Sequence, residues 1–427
     1  MTSVRTLWVA VAVLTTLWLA GCDHYVCGTT FGNSSCTSSG NGLTQGNGGT
    51  PTSAAFVYAV DEGTNGAANG TIDGYALDTT ALTFGPISSY TAPTVPVNNG
   101  GTGMAVAQGI YLYAAFGSVN QIFGWTITSS GALTSLAGSP FSSAAAGGYI
   151  GGVGQDNMIV NPAGTLLFIS DAVTSSVSVY SIASGGGLAS VGNFACPTGF
   201  TPMNMTTDGL GKYLYVVDGT DSTHQGHGIA AFSIGSTGAL SPVAGSPFTT
   251  TGYNMWQVKG EPTGKFLIGT SGSTVAYGVP DDPNLYVFGI TQSGTGAGGL
   301  TQVTTQATNN SPFSIAVQSN TNGNLIYAFG FNDTATGFNP IEGFAISSTG
   351  ALTPASGEPF GFGEGSWGQF DQSGRLLFSY ASFVNAGTGV VTTQISPLTV
   401  GSGGTLSQPV SSTTLVTPGF WAVADAP

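Results

Sequence analysis

The sequence predicts an all-β fold, a seven-bladed β-propeller with four-stranded blades. Three observations support it: a recurring phrase, a composition unsuited to helices, and a strand missing at one end of the repeats but spare at the other. The 427 residues are 41% hydrophobic but only 6% charged. So many apolar residues exclude a disordered chain, and the scarcity of Glu, Lys and Arg disfavours helices. The 68 glycines suit short strands joined by tight turns.

The recurring phrase sets the repeat length. It reads SSGALTSLAGSPF at 129–141, STGALSPVAGSPF at 236–248 and STGALTPASGEPF at 348–360. Shorter copies fill the gaps, so that a leucine recurs at Leu82, Leu133, Leu188, Leu240, Leu300, Leu352 and Leu406. The first and last of these lie 324 residues apart over six intervals, a mean of 54. Seven units of this length are typical of propeller blades.

Each unit has the pattern of four strands. An apolar strand follows a turn glycine, as in GTLLFIS and GKYLYVV, and the next strand carries an aromatic residue, as in VSVYSI and IAAFSI. The first unit begins at AAFVYAV (54–60) without an innermost strand, whereas GFWAVADAP (419–427) is a spare strand at the other end. The spare strand is therefore expected to complete the first blade and close the ring.

The amino-terminal segment predicts export and a membrane anchor. The apolar run LWVAVAVLTTLWLA (7–20) is too short for an ordinary membrane span and leads into LAGC. This segment resembles a bacterial lipoprotein signal, which implies cleavage after residue 21 and lipid on Cys22. The predicted organisation is a signal peptide at 1–21, a lipidated tether at 22–52 and a propeller at 53–427. The expected location is the bacterial cell envelope, lipid-anchored, periplasmic or surface-exposed.

Two cysteines in the tether allow two states. Cys27 and Cys36 enclose the short loop CGTTFGNSSC. Beyond the cytoplasmic membrane they could form a disulfide, but two free thiols fit the sequence as well.

Charge argues against nucleic acid as a partner. The chain has 19 Asp and Glu against five Lys and Arg, whereas phosphate binding needs basic patches. Ten of the acids are expected at one face, the mouth of the channel, including Asp156 in a link between blades and Asp171 in a loop between a second and a third strand. The bases Lys212, Lys265 and Arg375 are expected at the far face. The acids fit either a negative mouth or ordinary turns, which Asp suits.

A cation site is predicted among the mouth loops. Oxygen and imidazole ligands could hold a divalent cation such as Ca²⁺. The candidates are Asp218, Asp221, His224, His227, Asp281 and Asp282. Solvated loops without a metal explain the same residues.

The innermost strands are expected to present polar side chains to the channel. The candidates are Asn157, Asn204, Gln257, Lys259, Trp367 and Gln369. They could hydrogen-bond a neutral polyol and stack a sugar ring on Trp367, or they could simply border a water-filled channel. The alternate phase, including Met104 and Val106, is expected to pack between blades.

The glycine turn before the second strand and the GxLxxxxGSPF hairpin resemble the seven-bladed propeller lactonases, the family of 6-phosphogluconolactonase and carboxymuconate cyclase. The resemblance implies lactone hydrolysis at the channel mouth, where the family uses charged residues. This sequence departs from that pattern, because the predicted mouth has no arginine and no His–Glu–Arg set can be mapped onto it. The expected function is therefore a binding or scaffold module, with lactone hydrolysis as the alternative. Expected partners are the membrane and a neutral sugar, a cation or an envelope protein, and the propeller is expected to be a monomer.

Overall fold

A computed structural model describes residues 55–61, 69–78, 83–96, 101–116, 119–143, 155–219, 228–250, 255–271, 282–309, 311–318, 324–330, 340–361, 367–384, 391–415 and 418–425. These residues form seven antiparallel sheets, each built on four strands from the channel outward. Three of the sheets add a short fifth strand, and in one sheet the innermost strand is the last of the chain. The predicted seven-bladed propeller is confirmed. Cys22, Cys27 and Cys36 lie outside the described residues. Within the described ranges, no helix is long and apolar enough to span a bilayer.

The first four blades comprise eighteen of the strands. Blade 1 contains β1 (Ala55–Asp61), β2 (Asn69–Asp78), β3 (Thr83–Pro86), β4 (Thr94–Pro96) and the final strand β31 (Pro418–Asp425). Blade 2 contains β5 (Gly101–Ala107), β6 (Tyr111–Phe116), β7 (Gln121–Ile127), β8 (Leu133–Ser135) and β9 (Phe141–Ser142). Blade 3 contains β10 (Met158–Val160), β11 (Leu166–Asp171), β12 (Ser176–Ile182) and β13 (Leu188–Ala195). Blade 4 contains β14 (Pro202–Thr207), β15 (Tyr213–Asp218), β16 (Ile229–Ile234) and β17 (Leu240–Pro242).

The remaining three blades follow the same order. Blade 5 contains β18 (Gln257–Gly260), β19 (Phe266–Thr270), β20 (Asn284–Ile290) and β21 (Leu300–Ala307). Blade 6 contains β22 (Pro312–Val317), β23 (Leu325–Gly330), β24 (Glu342–Ile346) and β25 (Leu352–Pro354). Blade 7 contains β26 (Trp367–Phe370), β27 (Leu376–Val384), β28 (Val391–Val400), β29 (Leu406–Ser407) and β30 (Thr413–Leu415). Two 3₁₀ turns occur at Gln155–Asn157 and Ser402–Gly404.

The ring closes as the sequence predicts. Strand β31 pairs antiparallel with β1, with Ala55 opposite Asp425 and Val57 opposite Val423. The last segment of the chain thus supplies the innermost strand of blade 1, which contains Trp421. Closure joins the two ends of the propeller through backbone hydrogen bonds and leaves no open blade.

The repeated leucines mark the outermost strands. Those of blades 2 to 7 begin at Leu133, Leu188, Leu240, Leu300, Leu352 and Leu406, whereas Leu82 lies outside the described residues. After the short outer strand of blades 2, 4 and 6, the GSPF or GEPF segment returns its phenylalanine to the third strand. Blades 3 and 5 instead have a continuous outer strand of 8 residues that contains a β-bulge, at Val191 and Val303 respectively. The full phrase therefore recurs only where the outer edge is interrupted.

The glycine of the phrase forms the contact between blades. In six blades it stands two residues before the leucine with a positive φ, at Gly131, Gly186, Gly238, Gly298, Gly350 and Gly404. A Cβ added there would lie under 3.0 Å from a bulky side chain that opens the second strand of the preceding blade, namely Phe56, Tyr111, Leu166, Tyr213, Phe266 and Leu325 respectively. Both the backbone conformation and the space require glycine.

Buried tyrosines add a hydrogen bond to four of these contacts. The hydroxyl groups donate to the carbonyl oxygens of the same glycines in the pairs Tyr58–Gly131, Tyr113–Gly186, Tyr215–Gly298 and Tyr327–Gly404, at 2.7 to 3.0 Å. Each bond satisfies a turn carbonyl that is shielded from water by the neighbouring blade.

A capped turn joins the first and second strands of blades 3, 4, 5 and 7. In each turn, one side-chain oxygen of the first residue accepts hydrogen bonds from the backbone N–H groups four and five residues later. These first residues are Asn161, Asp208, Glu261 and Asp371. The far-face bases Lys212, Lys265 and Arg375 each follow one of these carboxylates by four residues. The separation of charge between the two faces is therefore smaller than expected from the sequence.

Two adjacent glycines, Gly185 and Gly186, allow the contact between blades to be tested by substitution. Gly186→Ala should lower the free energy of unfolding by about 2–4 kcal/mol, because φ is +77° and the new Cβ would lie 2.7 Å from the Tyr111 ring. Gly185→Ala is the matched control, since a Cβ there meets nothing within 4 Å. Urea denaturation measures both. Equal stability of the two variants would show that the contact does not hold the blades together.

The second prediction concerns pH and the closing strand. Asp425 accepts the Gln372 N–H at 3.0 Å. Burial, and then the nearby Asp371, raise the Asp425 pKa from 3.8 to about 6. A raised pKa adds stability below pH 3.8 that is lost as pH rises through 6. Asp425→Asn lacks this titration, so it should be more stable relative to the wild type at pH 7.5 than at pH 4.

Thermal melts of both proteins at the two pH values measure this effect. The same difference in Tm at pH 4 and at pH 7.5 would contradict the shifted titration of Asp425.

Candidate functional site

The innermost strands present two rings of side chains toward the propeller axis, at the positions four and two residues before the residue that begins the turn to the second strand. These turn residues are Gln108, Asn161, Asp208, Glu261, Gln318, Asp371 and, in β31, Asp425. Four residues before them stand Met104, Asn157, Asn204, Gln257, Ser314, Trp367 and Trp421. Two residues before them stand Val106, Ile159, Thr206, Lys259, Ala316, Gln369 and Val423. Members of both rings line a central cavity.

The cavity has a polar side and an aromatic side. Its volume is about 210 Å³, whereas one water molecule needs roughly 10–15 Å³. Asp156, Gln257 and Lys259 come from the strands and links of blades 3 and 5. Trp367 and Trp421 come from blades 7 and 1, which lie across the ring from them. The remaining lining is Met104, Ala105, Val106, Met158, Ile159, Val160, Gly368 and Gln369.

An ion pair forms the centre of the polar side. The Lys259 ammonium donates to Asp156 Oδ1 at 2.6 Å. The Lys259 side chain is 27% exposed and that of Asp156 is 10% exposed, so both border the cavity while being largely covered by protein. Lysine has three donor hydrogens, and this bond uses one of them. The pair can therefore offer further hydrogen bonds to a molecule in the cavity.

Buried amides fix the position of Asp156. Gln257 is 1% exposed. Its Nε2 donates to Asp156 Oδ2 at 2.5 Å, and its Oε1 accepts the Ile315 N–H at 2.6 Å. Asn204 accepts the Asp156 N–H at 3.3 Å and donates to the Trp256 carbonyl at 2.7 Å. The polar side thus connects blades 3, 4, 5 and 6 before any ligand is present.

The aromatic side is closely packed. Trp367 is 3% exposed and meets Phe313 edge-on at 4.9 Å between ring centroids. Phe313 also contacts Trp256 at 4.9 Å, and Trp421 stacks on Tyr380 at 6.0 Å with 10° between the planes. Trp367 and Trp421 thus give this side of the cavity an apolar aromatic lining, of the kind that ring-shaped ligands contact in binding sites.

Three buried polar atoms beside the cavity lack a partner among the described residues. They are Asn157 Oδ1, Ser314 Oγ and Trp256 Nε1. Asn157 and Ser314 belong to the ring four residues before the turn, and Trp256 directly precedes Gln257 of the same ring. Buried polar atoms in native proteins normally have a hydrogen-bond partner, so these three atoms can bond to water or to a ligand.

The predicted channel residues separate into three groups. Gln257, Lys259, Trp367 and Gln369 line the cavity. Asn204 is fully buried and engaged with the backbone of neighbouring blades. Asn157 is buried beside the cavity. Met104 and Val106 belong to the apolar cluster between blades 1 and 2, as predicted, and both also border the cavity.

Asp156 is the site residue that the sequence analysis did not identify. It was expected only as one of the mouth acids in the links between blades. Its partner Lys259 is 103 residues away on another blade. Counting back from the turn residues aligns the blades and shows that both charges occupy positions that are uncharged in the other blades. That alignment is the signal that could have found them.

The described acids of the predicted cation site accept hydrogen bonds from groups of their own blades. Asp218 accepts the Thr201 N–H at 2.7 Å. Asp282 accepts the Ser271 and Tyr286 hydroxyls and the Asn284 amide at 2.6 to 2.7 Å. The other candidates, Asp221, His224, His227 and Asp281, lie outside the described residues. Within the described part of the chain, no three His, Cys, Asp or Glu residues form a metal-binding group.

Comparison with known proteins bears on the fold. No protein-family model matches the chain, and no curated protein matches it. Solved propellers do. A Bacteroides uniformis protein provisionally named a 6-phosphogluconolactonase matches with TM-score 0.59 and 16% identity, over 87% of this chain and all of its own. The periplasmic gluconolactonase PpgL of Pseudomonas aeruginosa matches with TM-score 0.56 and 15% identity, over 87% and 100%.

A Bacteroides fragilis protein with the same provisional name matches with TM-score 0.58 and 15% identity, over 89% of this chain and all of its own. Identities this low show the fold alone. The resemblance of the sequence to the propeller lactonases is thus confirmed as a likeness of architecture.

Proposed function

We propose that this protein is a lipid-anchored propeller of the bacterial cell envelope that binds a small, neutral, hydroxylated molecule in its central cavity. The observation that carries the proposal is the cavity itself, with the Asp156–Lys259 pair and Gln257 facing the aromatic side formed by Trp367 and Trp421. Hydroxyl groups would bond to the polar side, and the apolar face of a ring would lie against the aromatic side.

Charge supports a neutral ligand. The cavity lining contains one carboxylate, Asp156, and one ammonium, Lys259, and the two are paired at 2.6 Å. Their charges cancel, yet both retain capacity for hydrogen bonds. A hydroxyl group can donate to a carboxylate and accept from an ammonium, so a polyol matches both groups at once.

Lactone hydrolysis is the second candidate, favoured by the carboxylate and ammonium in one cavity. Ring opening needs a base that takes a proton from the attacking water and a donor to the carbonyl oxygen as negative charge develops. Asp156 would be the base, and Lys259 would be the donor to the carbonyl oxygen. Both Asp156 oxygens already accept hydrogen bonds, so an attacking water would have to compete with Gln257 and Lys259 for them. Binding without catalysis therefore ranks first.

A ligand panel tests the proposal. Calorimetric titration and thermal shift with glucose, myo-inositol and glucono-δ-lactone should reveal at least one neutral ligand. Lys259→Met should weaken that ligand about tenfold or more, because it removes the donor and leaves Asp156 without its counter-ion. Lys212→Met is the matched control, since Lys212 is exposed at the far-face turn.

Two outcomes would change the assignment. Failure of every neutral compound to bind at millimolar concentration would contradict the binding proposal. Turnover of glucono-δ-lactone that Lys259→Met abolishes and Lys212→Met preserves would establish the second candidate instead.

The anchor is a separate part of the proposal. It rests on the LAGC segment, and the periplasmic P. aeruginosa neighbour is consistent with an envelope location. The protein purified from membranes should have an intact mass that lacks residues 1–21 and includes lipid on Cys22. Cys22→Ser should release it from the membrane fraction. An unmodified Cys22 in the membrane-derived protein would refute the anchor.

A further inference from the structure

We propose that Asp156 is a built-in counter-ion that sets the charge specificity of the cavity: it occupies the place on Lys259 that an anionic group of a ligand would otherwise take. The proposal deepens the proposed function, since it explains why the ligand is neutral. The class of molecule it excludes is small anions with phosphate or carboxylate groups.

The repeat shows that neither charge is needed to build a blade. At the position of Asp156, five residues before the turn residue, the seven blades have Gly103, Asp156, Met203, Trp256, Phe313, Ser366 and Phe420. At the position of Lys259, two residues before it, they have Val106, Ile159, Thr206, Lys259, Ala316, Gln369 and Val423. One acid and one base thus occur at otherwise uncharged positions, on different blades, and they meet at 2.6 Å.

The carboxylate is fixed in place before a ligand enters. The Ile315 N–H holds Gln257 Oε1, which turns the Gln257 amide nitrogen toward Asp156 Oδ2. Asn204, with no exposed surface, accepts the Asp156 N–H. Asp156 is therefore held through its backbone and both carboxylate oxygens, and its position does not depend on Lys259 alone.

This arrangement disfavours anions in two ways. An anion that approached Lys259 would meet the negative charge of Asp156 at hydrogen-bond distance. If it displaced Asp156 from Lys259, it would leave a buried carboxylate without its cation, which is strongly unfavourable. A neutral hydroxyl group incurs neither penalty.

Removing only the charge of Asp156 should reverse the specificity. Asp156→Asn keeps the shape of the side chain and an oxygen that can accept from Lys259. Lys259 would then give the cavity a net positive charge, partly shielded from water, which is the setting in which small anions bind well. The variant should bind inorganic phosphate at least about tenfold more tightly than the wild type.

The experiment is a calorimetric titration of the purified protein with inorganic phosphate, and separately with gluconate, at low ionic strength. The proteins compared are the wild type, Asp156→Asn, Asp156→Ser and the double variant Asp156→Asn with Lys259→Met. Either neutral single variant should gain phosphate binding, and the double variant should lose the gain. Asp208→Asn, which removes a buried carboxylate at the far-face turn, is the control and should gain nothing.

Three results would overturn the inference. One is phosphate binding by the wild type as tight as that of Asp156→Asn. Another is a gain that persists after Lys259→Met, which would locate the phosphate elsewhere. The third is no gain in either neutral variant while both melt cooperatively. Failure of the neutral-ligand panel would leave these outcomes unaffected, so the two proposals can fail separately.

Discussion

The propeller depends on a contact that recurs between its blades. A bulky side chain at the start of the second strand fills a space that only a glycine in the next blade leaves open, and six such pairs are described, from Phe56 with Gly131 to Leu325 with Gly404. The contact needs two things at once, a positive φ and no Cβ, so substitution at the glycine is costly. It needs little from the bulky partner, which is Phe, Tyr or Leu. This accounts for a phrase in which the glycine and leucine persist while their neighbours vary.

The same contact explains how the fold and the site can change independently. The glycine contacts position the blades through their outer hairpins. The innermost strands face the axis with side chains that take no part in the glycine contacts. The two rings accordingly hold residues as different as Met104, Asn204, Trp367 and Lys259. Similar backbones with about 15% identity, as in the solved propellers, follow from this division. Likeness of fold therefore carries little information about what the cavity binds.

What the sequence could predict follows the same division. The blade number, the ring closure and the outer-strand leucines repeat along the chain, so local pattern was enough to find them. Asp156 and Lys259 meet only because register and blade order bring distant residues together, and nothing local records that contact. The apolar residues Met104 and Val106 pack between blades as predicted, but the pattern did not show that they also border the cavity. The acids Asp171 and Asp282 were expected in loops at the channel mouth, but both are buried, and neighbouring protein groups donate hydrogen bonds to them.

The Asp156–Lys259 ion pair is expected to add little to the free energy of folding. Desolvating two charges offsets most of their attraction, and apolar residues of similar size usually serve a protein interior equally well. This chain contains that alternative, since blade 6 has Phe313 and Ala316 where blades 3 and 5 have the two charges. Both of these residues are buried and blade 6 is complete. The fold thus forms without charge at these positions. We therefore infer that the fixed carboxylate and ammonium serve the proposed ligand rather than the stability of the fold.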